Sequence, residues 1–171
     1  MTSNFFCDIR LDVKIIKAGR EFELSLRLGY EQMSKKPRFI SIKLTEESRA
    51  NLLQAIPPLY ENVFADHVTL RYKANEIDVN IFQALKEKIT KIDLRVFGYA
   101  SNEKGQAVCV VYVGEIDGKQ IFLPPTNNKV PHITISCADG VKPVYSNELL
   151  EDADNILRID DLHLEGNLEI E

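Results

Sequence analysis

The sequence HVTL at residues 67–70 and the sequence PHITIS at residues 131–136 share one pattern. Each contains a histidine, a branched apolar residue, a threonine and another apolar residue. In a β-strand, successive side chains point to opposite faces of the sheet. The pattern therefore predicts two strands that each bury an apolar face and present a histidine and a threonine on the other face.

Histidine is rare in this chain, which has only three, and two of them occupy the repeated pattern. The third, His163, alternates with apolar residues among acidic neighbours, which is typical of a solvated histidine. His67 and Thr69 should share one face of their strand. His132 and Thr134 should share a face of theirs, with Ser136 continuing it. We expect these two polar faces to line a common site.

The composition is that of an ordinary globular protein and disfavours several classes of function. The chain has 171 residues, 44% of them hydrophobic, and a net charge of −5. Proteins that track long nucleic acids usually have a basic surface, so a nucleic-acid ligand is expected to be a short strand, an end or a small nucleotide. Three cysteines without CxxC spacing, no apolar run of membrane length and no signal-peptide pattern favour a reducing compartment, the cytoplasm or the nucleus.

The hydrophobic patterns predict an α+β fold with mainly antiparallel sheets, built from about nine strands and three helices. Residues 6–28 read as a β-hairpin, and Thr45, Asp78 and Ser146 as helix caps. We expect a single domain over residues 1–171, in which residues 1–38 form an N-terminal hairpin extension. Residues 39–171 should form a core of two lobes, with the two His strands facing one another across a groove.

Three local patterns extend this prediction. Residues 107–113 are almost continuously apolar, which favours a central strand buried on both faces. Asp117-Gly118 is a strong signal for a two-residue hairpin turn. A helical stripe of apolar residues is expected to pack into the core; it consists of Ile81, Phe82, Leu85 and Ile89.

Two imidazoles that face each other across a groove can act as an acid–base pair, because the free pKa of histidine lies near neutrality. A threonine hydroxyl on the same face could donate to a phosphate oxygen. Such a site would cleave a phosphodiester without a metal or another cofactor. A zinc site would need a third ligand, and the nearest carboxylate, Asp66, should point to the opposite face. A Ser-His-Asp triad would leave the repeated pattern unexplained.

The pair of His-x-Thr motifs resembles the two-histidine (2H) phosphoesterase superfamily. The longer sequence PPTNNKVPHITI at residues 124–135, with VKP at 141–143 and SNELL at 146–150, is similar to the cyclic phosphodiesterase domain of fungal and plant tRNA ligases. The resemblance covers about residue 39 to the C-terminus. It implies a bilobal fold with a central cleft and helices on the outside. The hairpin has no counterpart in this pattern, and the ligase's adenylyltransferase and kinase domains are absent from the sequence given.

The resemblance implies hydrolysis of a 2′,3′-cyclic phosphate, at an RNA end or on a small nucleotide, to a 2′-phosphate. His67 and His132 would be the acid–base pair, in an order left open, and Thr69 and Thr134 would bind the phosphate. The partners would be RNA ends, with separate RNA ligase or kinase proteins acting on the same substrates.

Three further residues are candidates for substrate binding: Arg71 for a phosphate or RNA end, Ser136 on the site face, and Tyr145 for stacking on a base. A rim salt bridge for Arg71 and simple packing for Tyr145 are the alternatives. Two other functions stay open. One is hydrolysis of signalling nucleotides with 3′,5′-cyclic or 2′,5′ linkages, and the other is non-catalytic binding of RNA or nucleotides.

Overall fold

The computed structural model describes the backbone of residues 7–17 and 20–30 and all of residues 38–171 except the side chains of 160 and 161. The chain separates into two compact units, residues 1–36 and 37–171. In the first unit, β1 (Cys7–Lys17) and β2 (Arg20–Tyr30) pair antiparallel in one unbroken register. This confirms the two strands of the predicted hairpin, although Phe6 and residues 18 and 19, where the sequence predicts the turn, lie outside the described residues. The single domain stays a prediction.

The second unit is built on one sheet of eight strands, in which every pairing is antiparallel. The strand order is β4-β9-β7-β6-β10-β3-β5, and β8 pairs with β7. The α+β class with mainly antiparallel strands is therefore confirmed. The strands are β3 (Arg38–Leu44), β4 (Asn62–Val63), β5 (His67–Ala74), β6 (Lys91–Ser101), β7 (Gly105–Ile116), β8 (Lys119–Ile121), β9 (His132–Cys137) and β10 (Leu157–Ile170).

Three α-helices and two single-turn 3₁₀ helices complete the described part of this unit. The α-helices are α1 (Glu46–Ala55), α2 (Glu76–Lys86) and α3 (Ser146–Leu149), and the 3₁₀ turns are Pro143–Tyr145 and Ala153–Asn155. None of the helices in the described residues is long and apolar enough to cross a membrane.

Of the three predicted helix caps, one is confirmed and two are wrong. The Thr45 side chain accepts a hydrogen bond from the N–H of Ser48 at 3.1 Å, as predicted. The prediction for Asp78 is wrong, because Asn75 caps α2 and Asp78 is its third residue, where the two side chains form a reciprocal capping box. The prediction for Ser146 is also wrong, because Ser146 is the first residue of α3 and its hydroxyl bonds to another part of the chain.

The main core buries the apolar face of both His strands. Val68 and Leu70 of β5 and Ile133 and Ile135 of β9 are fully buried, as the alternating pattern predicts. A smaller cluster on the other face of β7 contains Cys109, which packs against α3 and its C-terminal end. At about 25 cal/mol per Å² of apolar area, burial on both faces is what stabilises β7 at the centre of the sheet.

Two of the local predictions need correction, and one is confirmed. Ile81 is 47% exposed and Ile89 follows the end of α2 at Lys86, so the helix packs through Val79 and Phe82, with Leu85 at its edge. Strand β7 is buried on both faces only as far as Val110, since Val111 is 46% exposed. The Asp117-Gly118 turn joins β7 to β8, and both residues have positive φ, which a type I′ turn requires.

Candidate functional site

The segment from β4 to β5 brings the two histidines together. Strand β4 pairs with the C-terminal end of β9, and the same register continues until the N–H of Ala65 donates to the carbonyl of Thr134 at 2.8 Å. Two residues after Ala65 comes His67, where the chain pairs with β3 instead, opposite Lys43. His132 begins β9, two residues before Thr134. Strands β5 and β9 contact each other, and the two histidines are close enough for the charge of His67 to lower the pKa of His132.

His67 is held by the residue directly before it. The Nδ1 of His67 lies 2.9 Å from a carboxylate oxygen of Asp66. A carboxylate can only accept, so Nδ1 carries the proton and Nε2 is the nitrogen left for a ligand. The hydrogen bond from His67 holds the pKa of Asp66 below its usual value of 3.8, against the opposing effect of burial. Asp66 is therefore an ionised partner of the ring.

The expectation that Asp66 points away from His67 is wrong. Side chains alternate between faces only within a regular strand, and β5 begins at His67. Ala65 has a φ of 50°, in the left-handed region that few residues other than glycine adopt. This irregular backbone precedes Asp66, so the alternation rule does not apply to it.

His132 is buried and is held by a backbone group. Its Nδ1 donates to the carbonyl of Val130 at 2.8 Å, because a carbonyl can only accept. His132 is 8% exposed. Burial lowers its pKa from the usual 6.5, the charge of His67 lowers it further, and the bond to Val130 opposes both effects. His132 is therefore neutral at neutral pH, with a lone pair on Nε2.

The two threonines differ in how their hydroxyls are engaged. Thr69 is half-buried, and its hydroxyl makes no hydrogen bond to any residue that the structure describes. The hydroxyl of Thr134 lies 2.8 Å from that of Ser146 and donates to the carbonyl of Pro143 over 3.3 Å. Ser146 must then be the donor to Thr134. Thr69 is ready to donate to a ligand, whereas Thr134 would have to give up its long bond to Pro143.

The loop between β8 and β9 is fastened to β5. The hydroxyl of Thr126 donates to the carbonyl of Thr69 at 2.6 Å, and the N–H of Asn127 donates to the carbonyl of Leu70 at 3.1 Å. Both acceptors belong to the first His motif. The same loop continues to Val130, whose carbonyl holds His132. One loop therefore connects the backbone of the first motif to the side chain of the second.

Arg71 is engaged in structural contacts. Its Nε donates to a carboxylate oxygen of Asp78 at 2.9 Å, and its guanidinium lies 5.3 Å from the ring centroid of Phe82. Nη1 donates to the carbonyl of Leu70 at 2.8 Å and to that of Pro125. These bonds join β5 to α2 and to the loop before β9. Contact between Arg71 and a substrate stays a prediction.

Ser136 and Tyr145 also lie in internal contacts. Ser136 is fully buried, and its hydroxyl donates to the side chain of Gln106 at 2.7 Å. A register shift at Gln106 and Ala107 interrupts the alternation between Thr134 and Ser136. The hydroxyl of Tyr145 accepts a bond from Asn102 at 2.8 Å. The structure therefore places the hydroxyl of Ser136 in the core rather than on a surface that a ligand could reach, and stacking of Tyr145 on a base stays a prediction.

The sequence-based prediction missed three residues near the candidate site or gave them other roles. Asp66 holds His67, Ser146 holds Thr134, and the ring of Phe39 meets the ring of His67 edge to face, with centroids 5.3 Å apart. The adjacency of Asp66 to His67 is a signal that could have found the first. The contacts of Ser146 and Phe39 depend on tertiary structure.

The positions of possible metal ligands and of the cysteines bear on two alternative chemistries, metal binding and thiol catalysis. Among the described residues, no three His, Cys, Asp or Glu side chains are grouped as metal ligands. Cys109 and Cys137 are free and buried, and burial raises the pKa of the Cys109 thiol to about 11. A thiol with that pKa stays protonated at neutral pH, which argues against a nucleophilic role for Cys109.

Comparisons with known proteins found one family model, which covers the second His-x-Thr motif. Residues 102–170 match the family model of the fungal tRNA ligase phosphodiesterase domain. The crystal structure of a fungal RNA kinase matches with a TM-score of 0.57 and 18% sequence identity, over 81% of this chain and 46% of that chain. At that identity the likeness concerns the fold. No curated protein matches the chain. His67 and Thr69 lie outside the residues that the family model covers.

Proposed function

Because residues 102–170 are related to the fungal tRNA ligase phosphodiesterase domain, we propose that the chain is a metal-independent 2′,3′-cyclic phosphodiesterase. It opens cyclic phosphates at RNA ends or on nucleotides to 2′-phosphates. The names of both matching proteins refer to RNA, which supports RNA ends as the substrate class.

The observation that carries this proposal is the proximity of His67 and His132, whose strands contact each other and whose charges interact. Each ring has its Nδ1 proton held by a fixed acceptor, Asp66 in one case and the carbonyl of Val130 in the other. Each ring therefore offers Nε2 to whatever lies between β5 and β9. Two rings that offer the same nitrogen to one space are arranged for proton transfer on both sides of a phosphorus atom.

The environments of the two rings assign their roles. His132 is buried and its pKa is lowered, so it is the base that takes a proton from the attacking water. The oxygen of that water forms a bond to phosphorus as the bond from phosphorus to O3′ breaks. His67, beside the carboxylate of Asp66, is the acid that gives its Nε2 proton to the departing O3′. Exchange with solvent then restores both rings.

The threonines stabilise the charge that grows on the non-bridging oxygens during attack. Thr69 donates directly. Thr134 turns its hydroxyl from Pro143 to the phosphate while it still accepts from Ser146, which is the least costly change because the bond to Pro143 is the longer one.

The test uses chelator-treated protein, a 2′,3′-cyclic mononucleotide and a short RNA with the same end, with products separated by the position of the phosphate. We expect 2′-phosphate products. His67→Ala and His132→Ala should each lower turnover by at least about 10²-fold, because each removes one proton-transfer step. The matched control is His163→Ala, which removes the exposed third histidine on β10 and should leave mononucleotide turnover unchanged.

Several outcomes would contradict the proposal. Unchanged turnover in both site variants would remove the catalytic assignment, provided that thermal unfolding shows all three variants folded. Loss of activity with the chelator, restored by a metal, would favour a metal site. A 3′-phosphate product would be consistent with the acid–base pair but would mean that O2′, not O3′, is the leaving oxygen. Activity only on 3′,5′-cyclic or 2′,5′-linked substrates would contradict the proposed substrate class and favour signalling nucleotides.

A further inference from the structure

A concave surface lies on the sheet, away from the two histidines. It is a cavity of about 570 Å³ between β6, β7, β10 and the segment before β10. Its walls combine two guanidinium groups, one aromatic ring and several apolar side chains. The lining residues that matter here are Arg95, Phe97, Val111, Ile156 and Arg158.

The strand register places this cavity on the same face of the sheet as His132. Arg158 pairs with Gly98, Gly98 with Cys109, and Cys109 with His132. Directly paired residues of neighbouring strands share a face, so Arg158 and His132 lie in one row across four strands. Three strand spacings of about 4.8 Å separate them by about 14 Å.

The next row of the sheet continues the same surface. Arg95 pairs with Val111, whose side chain is 46% exposed. Val111 is two residues along β7 from Cys109, the partner of His132. Val111 therefore gives the cavity an open wall on β7, whereas Cys109, between the cavity and His132, is buried beneath the C-terminal end of α3.

The chemistry of the walls suits a single-stranded polynucleotide. Among the side chains that the structure describes, Arg95 has no hydrogen-bond or ion-pair partner, so its planar guanidinium is available for a phosphate. The ring of Phe97 is 37% exposed and offers a flat apolar face for stacking on a base. Cationic groups that follow a backbone, together with aromatic rings that stack on bases, are how proteins bind single strands without sequence preference.

We propose that this cavity binds the nucleotides of an RNA strand that precede its reacting end. The proposal rests on the proposed function, because the strand's end must lie between His67 and His132. Arg95 contacts a phosphate and Phe97 stacks on a base, while the terminal nucleotide lies at His67 and His132. The surface gives affinity for RNA over mononucleotides in a protein whose net charge of −5 provides no general attraction.

The test compares two substrates that differ only in the preceding nucleotides. Steady-state kinetics are measured on a 2′,3′-cyclic mononucleotide and on a short single-stranded RNA that ends in the same cyclic phosphate. Arg95→Ala and Phe97→Ala should each raise KM for the RNA by about tenfold, the loss expected for one phosphate contact or one stacked base. KM and kcat for the mononucleotide should not change.

The control is Lys88→Ala, which removes one positive charge from an exposed position after α2. It should leave KM for the RNA unchanged. Equal losses on both substrates in the Arg95 and Phe97 variants would overturn the proposal, because they would indicate a disturbed fold. An unchanged KM for the RNA would also overturn it.

A binding measurement separates this proposal from the proposed function. Fluorescence anisotropy is recorded with a labelled single-stranded RNA that ends in a 3′-hydroxyl, so that no turnover is needed. Weaker binding in Arg95→Ala and Phe97→Ala, but not in Lys88→Ala, would support the cavity even if neither cyclic substrate reacts. Equal binding in all four proteins would exclude it even if both substrates react.

Discussion

At the scale of single residues, the site depends on what holds each imidazole by its Nδ1. Asp66 holds His67 through a carboxylate, and Val130 holds His132 through a neutral carbonyl. The two rings are equivalent in sequence and differ in surroundings. A carboxylate stabilises the positive charge that an acid carries before it gives up its proton, and burial without a counter-charge keeps a base neutral.

Asp66→Asn tests the role of that carboxylate. The amide oxygen of the substituted side chain can still accept the Nδ1 proton, so the ring keeps its orientation while its counter-charge is lost. We expect kcat on the cyclic mononucleotide to fall by about 10- to 100-fold, less than in His67→Ala, because the base and the phosphate ligands remain. Asp139→Asn, an exposed loop position, removes the same charge elsewhere and should have no effect. Equal kcat in both variants would show that the charge of Asp66 plays no part.

Four candidate residues could be predicted from the sequence because their signal is local. An alternating pattern with a repeated histidine and threonine is enough to place His67, Thr69, His132 and Thr134 opposite buried apolar residues. It misplaced Asp66 because alternation fails where the strand begins. It offered Ser136 as a site residue, whereas a register shift in β9 puts that hydroxyl against Gln106. Shifts of this kind depend on the neighbouring strand and leave no mark in the sequence of β9 itself.

At the scale of elements, the loop from β8 to β9 connects the two halves of the site. Its prolines predict stiffness, but stiffness alone does not fix a loop relative to β5. The bonds from Thr126 and Asn127 to the carbonyls of Thr69 and Leu70 do so. These acceptors are backbone atoms, which any residue supplies, so the sequence could not indicate the connection.

Thr126→Val removes the hydroxyl and keeps the shape of the side chain. It leaves the carbonyl of Thr69 without the hydroxyl that donates to it, and the N–H of Asn128 without its acceptor. We expect the free energy of unfolding to fall by about 1 to 3 kcal/mol, and kcat to fall because the loop no longer holds His132 in register with His67. The matched variant is Thr126→Ser, which keeps the hydroxyl and should keep kcat. Full activity in the valine variant at a temperature where it is folded would contradict this role of the loop.

At the scale of the whole molecule, the curled sheet brings β5, at one end of the strand order, into contact with β9 near the other end. Nine strands could be predicted because each has its own alternating pattern or turn signal. The missing strand was β4, whose two residues are too few for a pattern. It is also the strand that joins the segment before His67 to β9. The fold class was therefore predictable from local patterns. The repeated motif led us to expect β5 and β9 near each other, and they are in contact, but the pairing of β4 with β9 required the structure.

Burial of His132 gives the whole molecule a pH dependence. Its pKa in the folded state is lower than the unfolded value of 6.5, so below that value the unfolded chain takes up a proton that the folded chain resists. The free energy of unfolding should therefore be greatest above pH 6.5 and decrease as the pH falls through the lower folded pKa. The lowered pKa of Asp66 extends the loss below the usual aspartate value of 3.8.

His132 should also determine how activity falls at acidic pH. If His132 is the base, kcat/KM on the cyclic mononucleotide should stay on its plateau to a pH below 6.5 and fall only as His132 gains a proton. Urea unfolding and kinetics measured across the same pH range test both effects. His132→Gln should remove the loss of stability that begins at pH 6.5 while leaving the loss at lower pH that comes from Asp66. An acidic limb centred above pH 6.5, or a stability that rises on acidification through this range, would contradict the lowered pKa and with it the assignment of His132 as the base.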